Sequence, residues 1–130
     1  MTNKSKKILT EISAGELLDK ISILKIKLDY IKDKEKLVEI NKEFKSLEET
    51  RKSNIKITEN LQKLINQLGE INLKLWNIEE EKRICEKNEN FGKNFIKLSR
   101  NVYKNNDKRA KIKSDINKLL GSNIKEVKSY

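Results

Sequence analysis

A long heptad seam with a polar break in its middle constrains this chain more than any other feature. Positions 95, 98, 102, 105, 109, 112, 116 and 119 read Phe95, Leu98, Val102, Asn105, Arg109, Ile112, Ile116 and Leu119. Alternating steps of three and four put all eight along one side of a helix. Six are apolar, and the central pair is an amide and a guanidinium. Such a seam commits the last third of the chain to a helix packed on other helices. The break adds a second constraint, because a buried cation without partners costs several kcal/mol. Either that stretch is open to water or a carboxylate pairs with Arg109.

Three earlier segments carry the same periodicity. Ser13-Ala14-Gly15-Glu16 is an S-x-x-E capping box that opens a first helix. Its seam runs Leu17, Ile21, Leu24, Leu28 and Ile31, widened by Leu18, Ile23 and Ile26, so it is buried on more than one side. Asp33 caps a second helix with the seam Leu37, Ile40, Phe44 and Leu47. A third helix begins between 54 and 59 and reads Leu61, Leu64, Leu68, Ile71, Leu75 and Ile78, then Lys82 and Cys85. Gly69 inside it costs about 1 kcal/mol relative to alanine; close approach of a neighbouring helix is the expected reason. Residues 87–92 form a turn by composition. The fourth helix spans about 93 to Leu120 and stops at Gly121, a residue suited to the left-handed C-cap.

These elements predict an all-α chain, one domain over residues 1–130, folded as an antiparallel four-helix bundle. Helices three and four make a hairpin of roughly 45 Å, longer than helices one and two. The overhang leaves apolar seam uncovered, and a second subunit would cover it, so a homodimer is expected. The end segments 7–12 and 124–130 are β-permissive and short enough to pair only as a small terminal ribbon.

Charge is unevenly spread. The chain carries +10 overall, of which residues 91–130 supply eleven basic and three acidic side chains, or +8. That asymmetry suits an anionic partner, although lysines also simply solvate helix faces. Lys93, Lys97, Arg100, Lys104, Lys108 and Lys111 fall on one face of helix four. Lysine fills 26 of the 30 basic positions, leaving Arg51, Arg83, Arg100 and Arg109. Where lysine is the default, an arginine suggests use of its planar fork.

Chemistry is sparsely represented. Without histidine, imidazole catalysis and His metal sites are excluded. No metal site, cofactor motif or phosphate-binding glycine loop is legible. The lone Cys85 precludes an internal disulfide, fits a reducing cytoplasm and reads as a core residue. No apolar run reaches the ~20 residues that span a bilayer, and residues 1–7 lack the apolar stretch of a signal peptide. The sharper candidate is a polar layer inside the bundle. Counting outward from the turn near 90 places Glu79 beside Tyr103 and Asn106, and Arg83 near Arg100. The layer would pair Glu79 with Arg109 or Arg100, helped by Asp19 and Lys20. As a site it would hold a small anion among Lys20, Arg83, Arg100 and Arg109, oriented by Tyr103 and Asn106. As a structural device it would fix helix register. Trp76, next to the seam residue Leu75, is a core residue or a partner-docking one.

Several of these blocks resemble a domain-of-unknown-function family of short bacterial proteins. They are Glu11-Ile12-Ser13-Ala14-Gly15-Glu16-Leu17-Leu18-Asp19-Lys20-Ile21, Leu75-Trp76-Asn77-Ile78-Glu79 with Arg83, Val102-Tyr103 with Asn106-Asp107-Lys108-Arg109, and the closing Glu126-Val127-Lys128-Ser129-Tyr130. Ala14 stands where the pattern often has proline. The resemblance implies one compact domain and no known activity. Three functions compete: a dimeric module that binds a protein partner, a small-anion site in the polar layer, and, less favoured, nucleic-acid binding by helix four. The residue types favour a binding module over an enzyme.

Overall fold

The computed structural model describes residues 6–129. Four helices follow one another: α1 (Ala14–Tyr30), α2 (Lys34–Asn54), α3 (Glu59–Lys87) and α4 (Lys93–Leu120). Each starts or stops on a local signal. Ser13 Oγ accepts from the Glu16 amide, Asp33 from those of Glu35 and Lys36, and Thr58 from that of Leu61. Gly121 ends α4 with φ +63°, the left-handed conformation that favours glycine. Only half of the expected capping box forms, because the Glu16 carboxylate turns instead to Lys113 of α4 at 2.6 Å.

The helices pack as a bundle, with an uneven division of labour. The core gathers Leu18 of α1, Leu61, Leu68 and Ile71 of α3, and Ile116 of α4. Pairings along α1 show its direction: Gly15 lies against Asn117, Asp19 against Arg109 and Asn72, and Tyr30 against Trp76. It therefore runs parallel to α3 and antiparallel to α4. Tyr30 and Trp76, with ring centroids 6.0 Å apart, mark where α1 ends on the hairpin. Beyond them α3 and α4 continue as a pair for roughly 16 Å, closed by Ile78, Cys85 and Leu98 with Phe95 and Val102 against them. Lys82 caps that cluster over the Phe95 ring. The inner seam of the hairpin is thus covered by its own two helices, while Ile84, Phe91 and Ile96 remain more than half exposed on the overhang.

The second helix is the exception. It contacts α1 alone and none of its 21 residues is buried. Leu37, Ile40, Phe44 and Leu47 are only half-buried, and Val38 is 65% exposed. Between its far end and α3 lies an open slot.

Two sequence expectations change. Among the described residues the end segments form no strand, so the terminal ribbon is absent there; Tyr130 lies outside the described residues. Residues 122–126 turn back along α4 instead, Ser122 Oγ accepting from the Ala14 amide at 3.0 Å and Asn123 donating to Glu11 at 2.9 Å. Side-chain bonds to the start of α1 replace the ladder. The close helix approach also belongs to a different glycine: a Cβ on Gly15 would lie 2.5 Å from the Lys113 carbonyl oxygen, whereas one on Gly69 would meet nothing within 4 Å. No helix among the described residues is long and apolar enough to cross a membrane.

Candidate functional site

The break in the α4 seam finds its partner on α1. Asp19 is fully buried, and Arg109 meets it with both arms of its fork. Nε donates to Oδ1 at 2.9 Å, and Nη2 donates to Oδ2. Asn72 of α3 donates to the same Oδ1 at 2.9 Å and to Ser22 Oγ at 3.2 Å. Three helices therefore converge on one carboxylate. One turn along α4, Lys113 reaches Glu16 at 2.6 Å, Glu126 of the tail at 3.1 Å and Asp19 at 3.8 Å. Lys20 closes the edge, 3.9 Å from Glu16.

Arg109, Lys113 and Lys20 face Asp19, Glu16 and Glu126, so the cluster is close to neutral. Its hydrogen bond to Asp19 raises the Arg109 pKa; burial opposes this, and the charges of Asp19, Glu16 and Glu126 add to it. For Lys113, burial pulls downward most strongly, yet its bonds to Glu16 and Glu126 with the charges around it leave the pKa raised. The sign fixes an expected alkaline response. A cation with a raised folded pKa stabilises fully below its unfolded value of 10.5, and that contribution disappears as pH rises through the folded value. The parent should lose more stability than Lys113→Met as pH rises above 10.5, measured by urea titration.

Asn105, the other half of the break, behaves differently. It is 3% exposed; its Nδ2 donates to the Asn101 carbonyl at 2.7 Å, while Oδ1 has no hydrogen-bond partner. An unsatisfied buried acceptor costs about 1–3 kcal/mol. Asn105→Leu should therefore raise the urea midpoint, with a gain of about 1 kcal/mol or more in unfolding free energy if the leucine fills the same space. An unchanged or lower midpoint would mean that this amide is needed where it stands.

The predicted site residues separate into two groups. Arg109 lies in the cluster, Asn106 Oδ1 accepts weakly from its Nη1 at 3.5 Å, and Lys20 sits at the rim. Glu79, Arg83, Arg100 and Tyr103 are exposed, and the expected Glu79 pairing with Arg109 or Arg100 does not occur. Glu79 follows buried Ile78, and one residue is a rotation of about 100°, which turns its carboxylate out of the seam. Trp76 is half-buried against Tyr30. The sequence reading missed Asn72, Lys113, Asn117 and Glu126. Lys113 follows the seam residue Ile112 and Asn117 follows Ile116, positions whose partners depend on where α1 crosses.

Two concavities flank this cluster. A cleft of about 710 Å³ lies between α4 and the tail, lined by Arg109, Lys113, Asn106, Asn117, Glu126 and Lys128 among others. On the far side of α1 the slot of about 530 Å³ is floored by Leu18 and Ile21, with Ile65, Gly69 and Leu73 of α3 on one wall and Glu48 and Arg51 of α2 on the other.

Residues 8–130 match the profile of a family described as of unknown function, DUF6165. The chain belongs to that family. No curated protein and no solved structure matches it. The DUF6165 match takes in the whole polar cluster, from Glu16 to Glu126, together with α2 and the slot beside it.

Proposed function

We propose that this DUF6165 chain is a helical interaction module that works as a homodimer, α2 of each copy resting in the slot of the other. The observation that carries this reading is the state of α2. Helices in water draw most of their stability from a packed apolar face, and α2 has such a face with nothing fully buried on it. The slot lies directly beside α2, so a two-fold axis between them seats both helices at once, as an isologous contact requires. A 21-residue helix is about 31 Å long and 10 Å across. One helix face and one slot per copy give on the order of 1,200 Å² in total, the lower end of specific interfaces. Gly69 fits the same picture. It is costly in mid-helix, serves no contact within the chain and opens onto the slot; a second backbone would use that room.

The test is solution mass. Sedimentation should give twice the 15.3 kDa chain mass at micromolar concentration, and Gly69→Phe should give the monomer. A Cβ at this position meets nothing within 4 Å, so the monomer fold should persist, and retained helicity by circular dichroism checks this. A wild-type monomer, or a dimer indifferent to Gly69→Phe, would refute the reading. Within the monomer, Gly69→Ala should stabilise by up to about 1 kcal/mol.

A second reading rests on Glu126. This tail carboxylate, 68% exposed at its side chain, contacts Lys113 beside the cleft, where a free small anion would find the same cations. Glu126→Ala should then gain a thermal shift with sulfate or succinate that the parent lacks; no shift in the variant would end that reading.

A further inference from the structure

The outer face of α4 carries Lys93, Lys97, Arg100, Lys104, Lys108 and Lys111, all exposed. Lys111 is 3.4 Å from Asp115; the other five have no carboxylate partner among the described residues. Unpaired charges in a row over roughly 22 Å repel one another, and in a helical bundle nothing about folding requires them. Two exposed large side chains are set among them. Ile96 and Tyr103, seven residues apart and so on one side of the helix, are 56% and 54% exposed. A shallow notch of about 300 Å³ is lined by Lys93, Ile96, Lys97, Arg100, Asn101 and Lys104.

We infer that this face binds single-stranded nucleic acid, the cations tracking its phosphate backbone and Ile96 and Tyr103 receiving its bases. A row of cations beside an exposed aromatic ring, here Tyr103 with Ile96 as an apolar neighbour, is the combination that strand binders use. The row is one helix wide, which matches one backbone. A duplex presents two backbones, and a flat anionic bilayer would also meet α3, where Glu79, Glu80 and Glu81 are exposed. α2 makes no contact with α4, so strand binding and the proposed dimer use different faces and stand or fall separately.

The experiment is fluorescence anisotropy with a labelled 20-nucleotide oligo-dT and its RNA counterpart, titrated with the full chain between 50 and 200 mM KCl. Five phosphate contacts predict a slope of log affinity against log salt of about −3.5. Removing three cations together (Lys93→Gln, Lys97→Gln, Arg100→Gln) should reduce the slope by about 2. Tyr103→Ala should weaken binding roughly five- to hundredfold without changing the slope, which a purely electrostatic attraction would not show. Lys56→Gln with Lys63→Gln, exposed cations at the start of α3 and before it, should leave affinity within twofold. No binding at 50 mM KCl overturns the inference. So does equal loss in the Lys56 and Lys63 variant, tighter binding to duplex of the same length, or binding to phosphatidylserine vesicles in place of either strand.

Discussion

Arg109→Ala is expected to cost about 3–5 kcal/mol of folding stability, the range for breaking a buried ion pair by removing one partner. The cost comes from what remains. Asp19 is fully buried, and without the guanidinium it keeps only the Asn72 amide at 2.9 Å and Lys113 at 3.8 Å. Asp19→Ala should cost less, because the Arg109 side chain is 28% exposed and can turn to water. Arg109→Met keeps most of the side-chain volume, so a cost close to that of Arg109→Ala separates the ion pair from simple loss of packing. A double-mutant cycle with both replaced should show a coupling energy of about 1.5 kcal/mol or more, the double variant being more stable than the sum of the singles predicts. Urea denaturation followed by helicity measures all three. An Arg109→Ala variant within 1 kcal/mol of the parent, on the scale where surface substitutions fall, would show that the pair is not a structural clasp.

Gly15→Ala is expected to be nearly as damaging, at about 3 kcal/mol, the upper part of the range for overpacked sites. The new methyl would sit 2.5 Å from the Lys113 carbonyl oxygen and 2.9 Å from Asn117 Oδ1. The first contact is with backbone, which cannot swing aside. Relief requires α1 to lift from α4, and that lengthens the 2.7 Å bond from the Gly15 amide to Asn117. It also strains the Asp19–Arg109 fork one turn further on. Because both substitutions loosen the same helix crossing, their effects should fall short of additive. Gly69→Ala is the built-in contrast: the same chemical change in another helix, with open space around it, and an opposite expected sign in the monomer.

That contrast also shows what a sequence makes legible. Helix positions follow from local facts: an apolar residue every three or four positions, Ser13 and Asp33 as caps, Gly121 as a stop. All of these lie within a turn or two of the residues they organise. Which glycine lies at a helix crossing depends on how far α1 slides along α4, and no local pattern encodes that distance. The polar break at Asn105 and Arg109 was visible because it violates a period. Counting along the hairpin pairs it with Glu79 and gives Asp19 of α1 only a helping part; Glu79 is turned outward by a single residue, and Asp19 takes the whole fork. Glu126 lies in a segment with no period at all, so nothing in the sequence tied it to Lys113. The uncovered face was expected on the hairpin from helix lengths. Ile84, Phe91 and Ile96 are exposed there, and α2 is uncovered as well, because burial depends on which helices touch and not on which is longest.

The central claim, that α2 is completed by a second copy, is tested most directly by hydrogen exchange of the α2 amides as a function of protein concentration. Amides of residues 38–54 should become strongly protected as concentration rises through the dimerisation range, while those of α3 near Leu68 and Ile71 stay protected throughout. Exchange in α2 that is independent of concentration would contradict it.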